Sequence, residues 1–166
     1  MVALEREIRD AGSGELYCAL RQTLFLRGDG GFGGPPAPNA PSIVPDRQPD
    51  VRAEFAVDPR AALIYRLSGD PNPLHIDPEA AGRGGFDRPI LHGLASYAIA
   101  GIAVSRACGL PPTRVAALQC RFSGVVFPGE VLAFKIWRGD GAAVFQGFVD
   151  DRKALDQGII SFRGDP

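Results

Sequence analysis

The sequence predicts an α+β fold in which an antiparallel sheet wraps one long apolar helix, and three observations carry that prediction. Residues 89–105, PILHGLASYAIAGIAVS, are 17 consecutive residues without Asp, Glu, Lys or Arg. Beyond residue 113 the pattern changes to strands punctuated by Pro128-Gly129 and Gly139-Asp140-Gly141. Residues 131–137 alternate, placing Leu132, Phe134 and Ile136 on one face, as a strand does when only one of its sides meets a core. One helix apolar on every side, followed by several strands, is best buried with the sheet around it.

Taken in order, ELYCALRQTLFLRG (15–28) alternates enough to read as one strand or a bent pair. Residues 28–50 hold five glycines and six prolines with no helical or strand periodicity, the composition of a partly stiffened linker. The sequence thus divides into strands within 1–27, a linker over 28–50 and one domain over 51–166. Asp58-Pro59 and Asp77-Pro78 each put an acceptor at a helix N-cap and a proline at the first helical position. They predict a helix over about 59–67, ended by Gly69, and a short turn near 78–82. The apolar helix covers about 90–107 and is stopped by Gly109 and Pro111-Pro112. Strands follow at VAALQCRFSGVVF, EVLAFKIW and AAVFQGFV, with a last one near 157–163.

Composition narrows the function. A chain of 166 residues with 45% hydrophobic residues can bury a proper core. A net charge of −1 gives no electrostatic case for nucleic acid or an anionic membrane. Cys18, Cys108 and Cys120 are odd in number and widely spaced, which fits neither a disulfide framework nor a CxxC site and favours a reducing, cytoplasmic compartment. The N-terminal charges Glu5, Arg6, Glu7, Arg9 and Asp10 leave no apolar run for an export signal. A membrane span needs about 20 apolar residues, so 89–105 is too short and reads as a buried helix.

Chemistry concentrates in YRLSGDPNPLHID (65–77). Each residue before a proline is pushed into extended geometry, so Asp70-Pro71-Asn72-Pro73 is a fixed, non-helical turn. A carboxylate and an imidazole held in one constrained loop suit general acid–base catalysis, with Asn72 able to hold one of them or a water. The same residue types also make ordinary turns. Asp70, His75, Asp77 and Asp87 offer metal ligands, but Asp77 is already an N-cap and no paired histidine motif supports a metal. His92 stands at the start of the apolar helix, where a buried, hydrogen-bonded role is open to it. Gly93 would let a ligand oxygen approach unpaired backbone N–H groups at the positive end of the helix dipole, or simply serve close packing, as Gly101 would.

The run YRLSGDPNPLHIDPEAA followed by GFDRPILHGL resembles the hydratase motif of the MaoC-like, (R)-specific enoyl-CoA hydratases, which have the hot-dog fold; RFSGVVFPGEVL resembles the strand region after their central helix. The resemblance implies that Asp70 and His75 are a catalytic dyad activating a water that adds to C3 of a trans-2-enoyl-CoA, with Asn72 orienting them. It implies that Gly93, with His92 beside it, binds the thioester oxygen, that acyl-CoA is the substrate, and that no metal or redox cofactor takes part. Arg83 and Arg88 flank the segment and are the nearest candidates for the CoA phosphates. Eukaryotic-type relatives carry two hot dogs in tandem, and residues 1–27 resemble only the last strands of a first repeat. That departure implies a homodimer or a heteromer with another hot-dog chain. A hot-dog thioesterase, which would direct water at the carbonyl instead, is the competing activity.

Overall fold

The computed structural model describes residues 1–26, 28–34 and 41–164. Two units are distinguished, Met1–Pro41 and Ser42–Pro166. The first is built on a hairpin of β1 (Val2–Arg9) and β2 (Leu16–Leu24), paired antiparallel. Its turn is organised by Asp10, whose carboxylate accepts hydrogen bonds from the Gly12 and Ser13 amides at 3.0 and 2.7 Å and from the Tyr17 hydroxyl at 2.9 Å. These donors hold the Asp10 carboxyl down at about 2. The register pairs Val2 with Leu24 and Arg6 with Leu20, so one face collects Val2, Leu4, Ile8, Leu20 and Leu24, whereas Glu5 and Arg21 meet on the other. Val2, Ile8 and Leu20 are exposed. The sequence analysis anticipated β2 but not β1, whose charged face hides its alternation.

The second unit contains β3 (Val51–Ala56), α1 (Ala61–Arg66), a 3₁₀ turn at Pro73–His75, α2 (Pro78–Arg83), α3 (Gly93–Ala107), a 3₁₀ turn at Pro112–Arg114, β4 (Val115–Phe122), β5 (Val131–Arg138), β6 (Ala142–Val149) and β7 (Arg152–Phe162). The strands form one antiparallel sheet ordered β3-β5-β6-β7-β4. Helix α3 packs against all five of them, the expected arrangement. Its buried positions are Ala95, Ser96, Ala100, Ala103, Val104 and Ser105, none larger than valine, so large side chains from the sheet close over it. Leu132, Phe134 and Ile136 point inward as the alternation predicted, joined by Phe145, Leu155 and Ile160. Gly158 has a packing reason: a Cβ there would lie 2.5 Å from the Phe145 ring.

Several boundaries moved for physical reasons. The second unit begins at Ser42, inside the expected linker, because polar groups tie that extended segment to the sheet. The Trp137 indole donates to the Arg47 carbonyl at 2.9 Å, the Arg138 amide to Asp50 at 2.7 Å, and the Ile43 amide to Gln157 at 2.9 Å. Edge strand β3 was not anticipated; only Val51, Ala53 and Phe55 signal it, in six residues. Helix α1 starts at Ala61 instead of 59, because Asp58 spends its carboxylate on the Arg60 amide and side chain. Strand β7 starts at Arg152, earlier than expected, since Lys153 and Asp156 form a polar outer side rather than a loop. Strand β4 ends at Phe122 instead of near 127; Ser123 and Gly124 turn to bond the Ala154 carbonyl. The long helix begins at Gly93 instead of 90, with consequences for the site. No helix among the described residues is long and apolar enough to cross a membrane.

Candidate active site

The site is assembled from two non-helical stretches. The first follows α1, where Gly69 turns the chain in the left-handed region at φ 101°. The Arg66 guanidinium donates to the Pro71 carbonyl at 2.7 Å, lashing the helix end to the proline turn. The Asn72 amide donates to the Asp70 carboxylate at 3.2 Å, and the Asn72 side-chain oxygen caps the 3₁₀ turn by accepting from Leu74 N–H at 3.1 Å. Two prolines and one asparagine therefore hold Asp70 and His75 at opposite ends of a stiff loop. Asn72 is exposed and its oxygen is used on the backbone, so it acts on Asp70 through the loop.

The second stretch is Ile90-Leu91-His92, extended rather than helical. The Leu91 amide donates to the Val126 carbonyl at 2.7 Å, which holds the segment beside the chain that leaves β4. The Ile90 carbonyl then lies 2.9 Å from His75 Nδ1. A carbonyl only accepts, so Nδ1 carries the proton and Nε2 keeps its lone pair. His92 is the N-cap residue of α3, in extended geometry at φ −56°, ψ 133°, and its side chain does not cap the helix. Gly93 opens the first turn, where backbone N–H groups have no partner within the helix.

Asp70, His75 and His92 each bring a polar atom to within 4.8 Å of the others. His75 is 9% exposed and His92 only 1%. Their rings stack with centroids 3.7 Å apart and planes inclined by 28°, while Tyr65 lies 4.7 Å from His92 on a tilted ring. Expected to be hydrogen-bonded if buried, His92 is buried with neither ring nitrogen in a well-formed hydrogen bond, although the Asp70 backbone lies near enough to favour its charged form. An unpaired buried polar atom costs about 1–3 kcal/mol, so sequence reasoning on composition could not have assigned this arrangement. The resemblance gave His92 a part beside Gly93 in binding the thioester oxygen, and at 1% exposure its ring offers almost no surface for that contact.

As a metal site the trio fits poorly. A ligating nitrogen sits about 2.0 Å from the metal, roughly in the plane of its ring. Two ring planes 3.7 Å apart and inclined by only 28° converge well beyond that reach. Asp77 is spent as the N-cap of α2, accepting from Glu79 N–H at 2.9 Å. Chemically the cluster offers a hydrogen-bond acceptor in Asp70 and a base in His75 Nε2, next to the positive end of a helix.

The flanking arginines differ. Arg83 is exposed and pairs with Glu79 on its own helix at 3.5 Å. Arg88 lies 4.6 Å over the Phe127 ring and 4.0 Å from Glu130, which Arg152 approaches at 2.8 Å. That cluster braces the loop entering the site against the turn before β5. The Ile90 carbonyl is the functional group that sequence reasoning missed, because a backbone acceptor leaves no mark in residue identity.

Burial holds the His92 imidazole below its ordinary value of 6.5; the neighbouring His75 adds to this, the Asp70 backbone and charge oppose it, and Arg66 adds slightly. The folded state therefore binds this proton less readily than the unfolded chain. Its share of stability is intact above pH 6.5 and is lost as pH falls below that value. Urea midpoints should fall between about pH 7 and about pH 5.5, and His92→Phe should flatten this part of the profile; an unchanged slope in the variant would assign the acid sensitivity elsewhere.

Residues 41–157 match the MaoC-like domain family. The chain is 42% identical over 176 residues to "Enoyl-CoA hydratase 2, peroxisomal" of Arabidopsis thaliana, covering 99% of this chain and 57% of that protein. It is 44% identical over 164 residues to "3-hydroxyacyl-thioester dehydratase Y" of Mycobacterium tuberculosis, covering 92% of this chain and 56% of the relative. The chain thus spans little more than half the length of these relatives. Among solved structures, a MaoC-like dehydratase from Phytophthora capsici superposes with a TM-score of 0.86 at 38% identity, over 99% of this chain and 59% of that one. Loop, long helix and nearly all of the five-stranded sheet lie inside the matched span, so the chain belongs to the MaoC-like domain family and has its hot-dog fold.

Proposed function

We propose that the chain is an (R)-specific 2-enoyl-CoA hydratase, converting trans-2-enoyl-CoA reversibly to (3R)-3-hydroxyacyl-CoA. The observation that carries this reading is the hydrogen bond from His75 Nδ1 to the Ile90 carbonyl, which leaves Nε2 as a base in a cluster with the Asp70 carboxylate. Asp70 accepts one hydrogen bond from the water and His75 Nε2 takes its other proton as the oxygen bonds to C3. The C2–C3 π pair moves toward the thioester, whose oxygen gains charge, and a proton returned to C2 completes the addition. The Gly93 N–H donates to that oxygen at the positive end of α3. Asn72 holds Asp70 in place, and Arg88, with Arg83 as the second candidate, meets the CoA phosphates. Every bond made or broken is O–H, C–O, C–C π or C–H with no net oxidation, so the reaction calls for no redox cofactor. The names of the two relatives support the reaction class. The Arabidopsis relative is peroxisomal by name; the cytoplasmic compartment expected from cysteine usage belongs to this reading.

We further propose that the working unit contains a second hot-dog domain, from a twin chain or another subunit. Leu94 (56% exposed) and Phe122 (50%) flank Gly93, and Leu63, Ile64 and Leu67 of the α1 segment are exposed as well. The first unit's hairpin carries its own uncovered apolar face, and a two-stranded hairpin is marginal in water by itself. The acyl chain and a partner domain are the natural occupants of such surfaces.

Asp70→Asn and His75→Gln should each lower the rate of crotonyl-CoA hydration by about 10²- to 10⁴-fold while the protein stays folded; near-native rates in either would remove that residue from the dyad. In the same assay Arg88→Glu should raise KM more than it lowers kcat, and an unchanged KM would free Arg88 of the phosphates. Light scattering during size exclusion should find a dimer or larger; a monomer hydrating at full rate would contradict the partner domain.

A further inference from the structure

The hydrogen bond to Ile90 fixes one atom of the His75 ring and the direction of one N–H. It restrains the ring's rotation about Cβ–Cγ without locking it, because an N–H···O bond tolerates bending. Nε2 sits on the far side of the ring, so a small swing moves it away from any water held by Asp70. The face of the ring is what remains to be held, and the group stacked on it is His92, with centroids 3.7 Å apart.

Three features of His92 decide how it acts. It is 1% exposed, so it does not meet a ligand in the cleft. Neither ring nitrogen makes a well-formed hydrogen bond, the nearest influence being the Asp70 backbone, so its firmest hold on its surroundings passes through the ring face. It is the N-cap residue of α3, whose first turn begins at Gly93, so the plate is anchored to the most deeply packed helix of the unit. Two rings in van der Waals contact across their faces resist rotation of either one out of plane.

We propose that His92 is a positioning residue for His75: its imidazole is a stacking plate that sets the plane of the His75 ring and so aims Nε2 at the water beside Asp70. The role belongs to the ring face and not to the nitrogens. The catalytic consequence rests on the hydratase reading, whereas the positioning itself does not.

His75 and His92 are the only histidines in the chain, so in any His92 variant the ¹⁵N-histidine NMR spectrum reports His75 alone. His92→Phe keeps an aromatic face and removes both nitrogens; His92→Ala removes the face. With His92→Phe, His75 should remain a single Nδ1–H tautomer and kcat should stay within about threefold of the native value. With His92→Ala, the Nδ1–H tautomer set by Ile90 should persist, but the His75 ring resonances should broaden as the ring rocks, and kcat should fall by about 10- to 100-fold with KM little changed, the scale expected when a reacting group is displaced by about 1 Å. A His92→Ala protein with unbroadened His75 ring resonances and native kcat would overturn the proposal. So would a folded His92→Phe protein as impaired as His92→Ala, because the nitrogens would then be essential. If His92→Ala fails to fold, His92→Phe decides alone: tautomer and kcat retained supports the plate, and either one lost in a folded protein refutes it. If the native protein hydrates no enoyl thioester, the hydratase reading falls while the comparison of His75 ring broadening still decides the positioning.

Discussion

The structure around the site depends on one hydrogen bond, from His75 Nδ1 to the carbonyl of Ile90, because it joins two segments that have no regular structure to share. On one side is a loop stiffened by Pro71 and Pro73 and capped by Asn72; on the other is a three-residue extended stretch pinned to Val126. The bond sets the tautomer of the imidazole, and that tautomer presents Nε2 as an acceptor instead of a donor. It also explains why the long helix starts late. If Ile90 and Leu91 were helical, the Ile90 carbonyl would point along the helix axis toward the Leu94 amide and the Leu91 amide would lose Val126.

That late start accounts for the unusual state of His92. An N-cap position usually holds a residue whose side chain bonds the first amides of the helix. Here the position carries an imidazole that leaves those amides alone and lies against His75. The first-turn N–H of Gly93 is thereby kept from a side-chain cap, close to Asp70 and His75. One backbone conformation at residues 90–92 thus serves the base, its stacking partner and the helix end together.

Much of this was legible in the residues. Proline placement predicted the rigid Asp70 loop, Gly69 the end of α1, Asp77 the start of α2, and the alternation in residues 131–137 the inner face of β5. What was not legible has a common cause. Backbone acceptors such as the Ile90 carbonyl carry no residue signature, and β1 and β3 alternate with charges that read as surface. The uncharged run 89–105 reads as helix throughout, since periodicity cannot separate an extended entry from the helix it feeds. The burial of His92 without a well-formed hydrogen bond contradicts the ordinary expectation for a buried polar ring, and it is the feature that points most directly at a role.

The central claim is that water held by Asp70 and His75 is delivered to C3 of an unsaturated thioester and not to its carbonyl. The most direct measurement is to incubate the native protein with crotonyl-CoA in ¹⁸O-water and locate the label by mass spectrometry, with chiral analysis of the product. The account predicts ¹⁸O on C3 of (3R)-3-hydroxybutyryl-CoA, with the thioester intact. Label in a free carboxylate, accompanied by released CoA thiol, would contradict it.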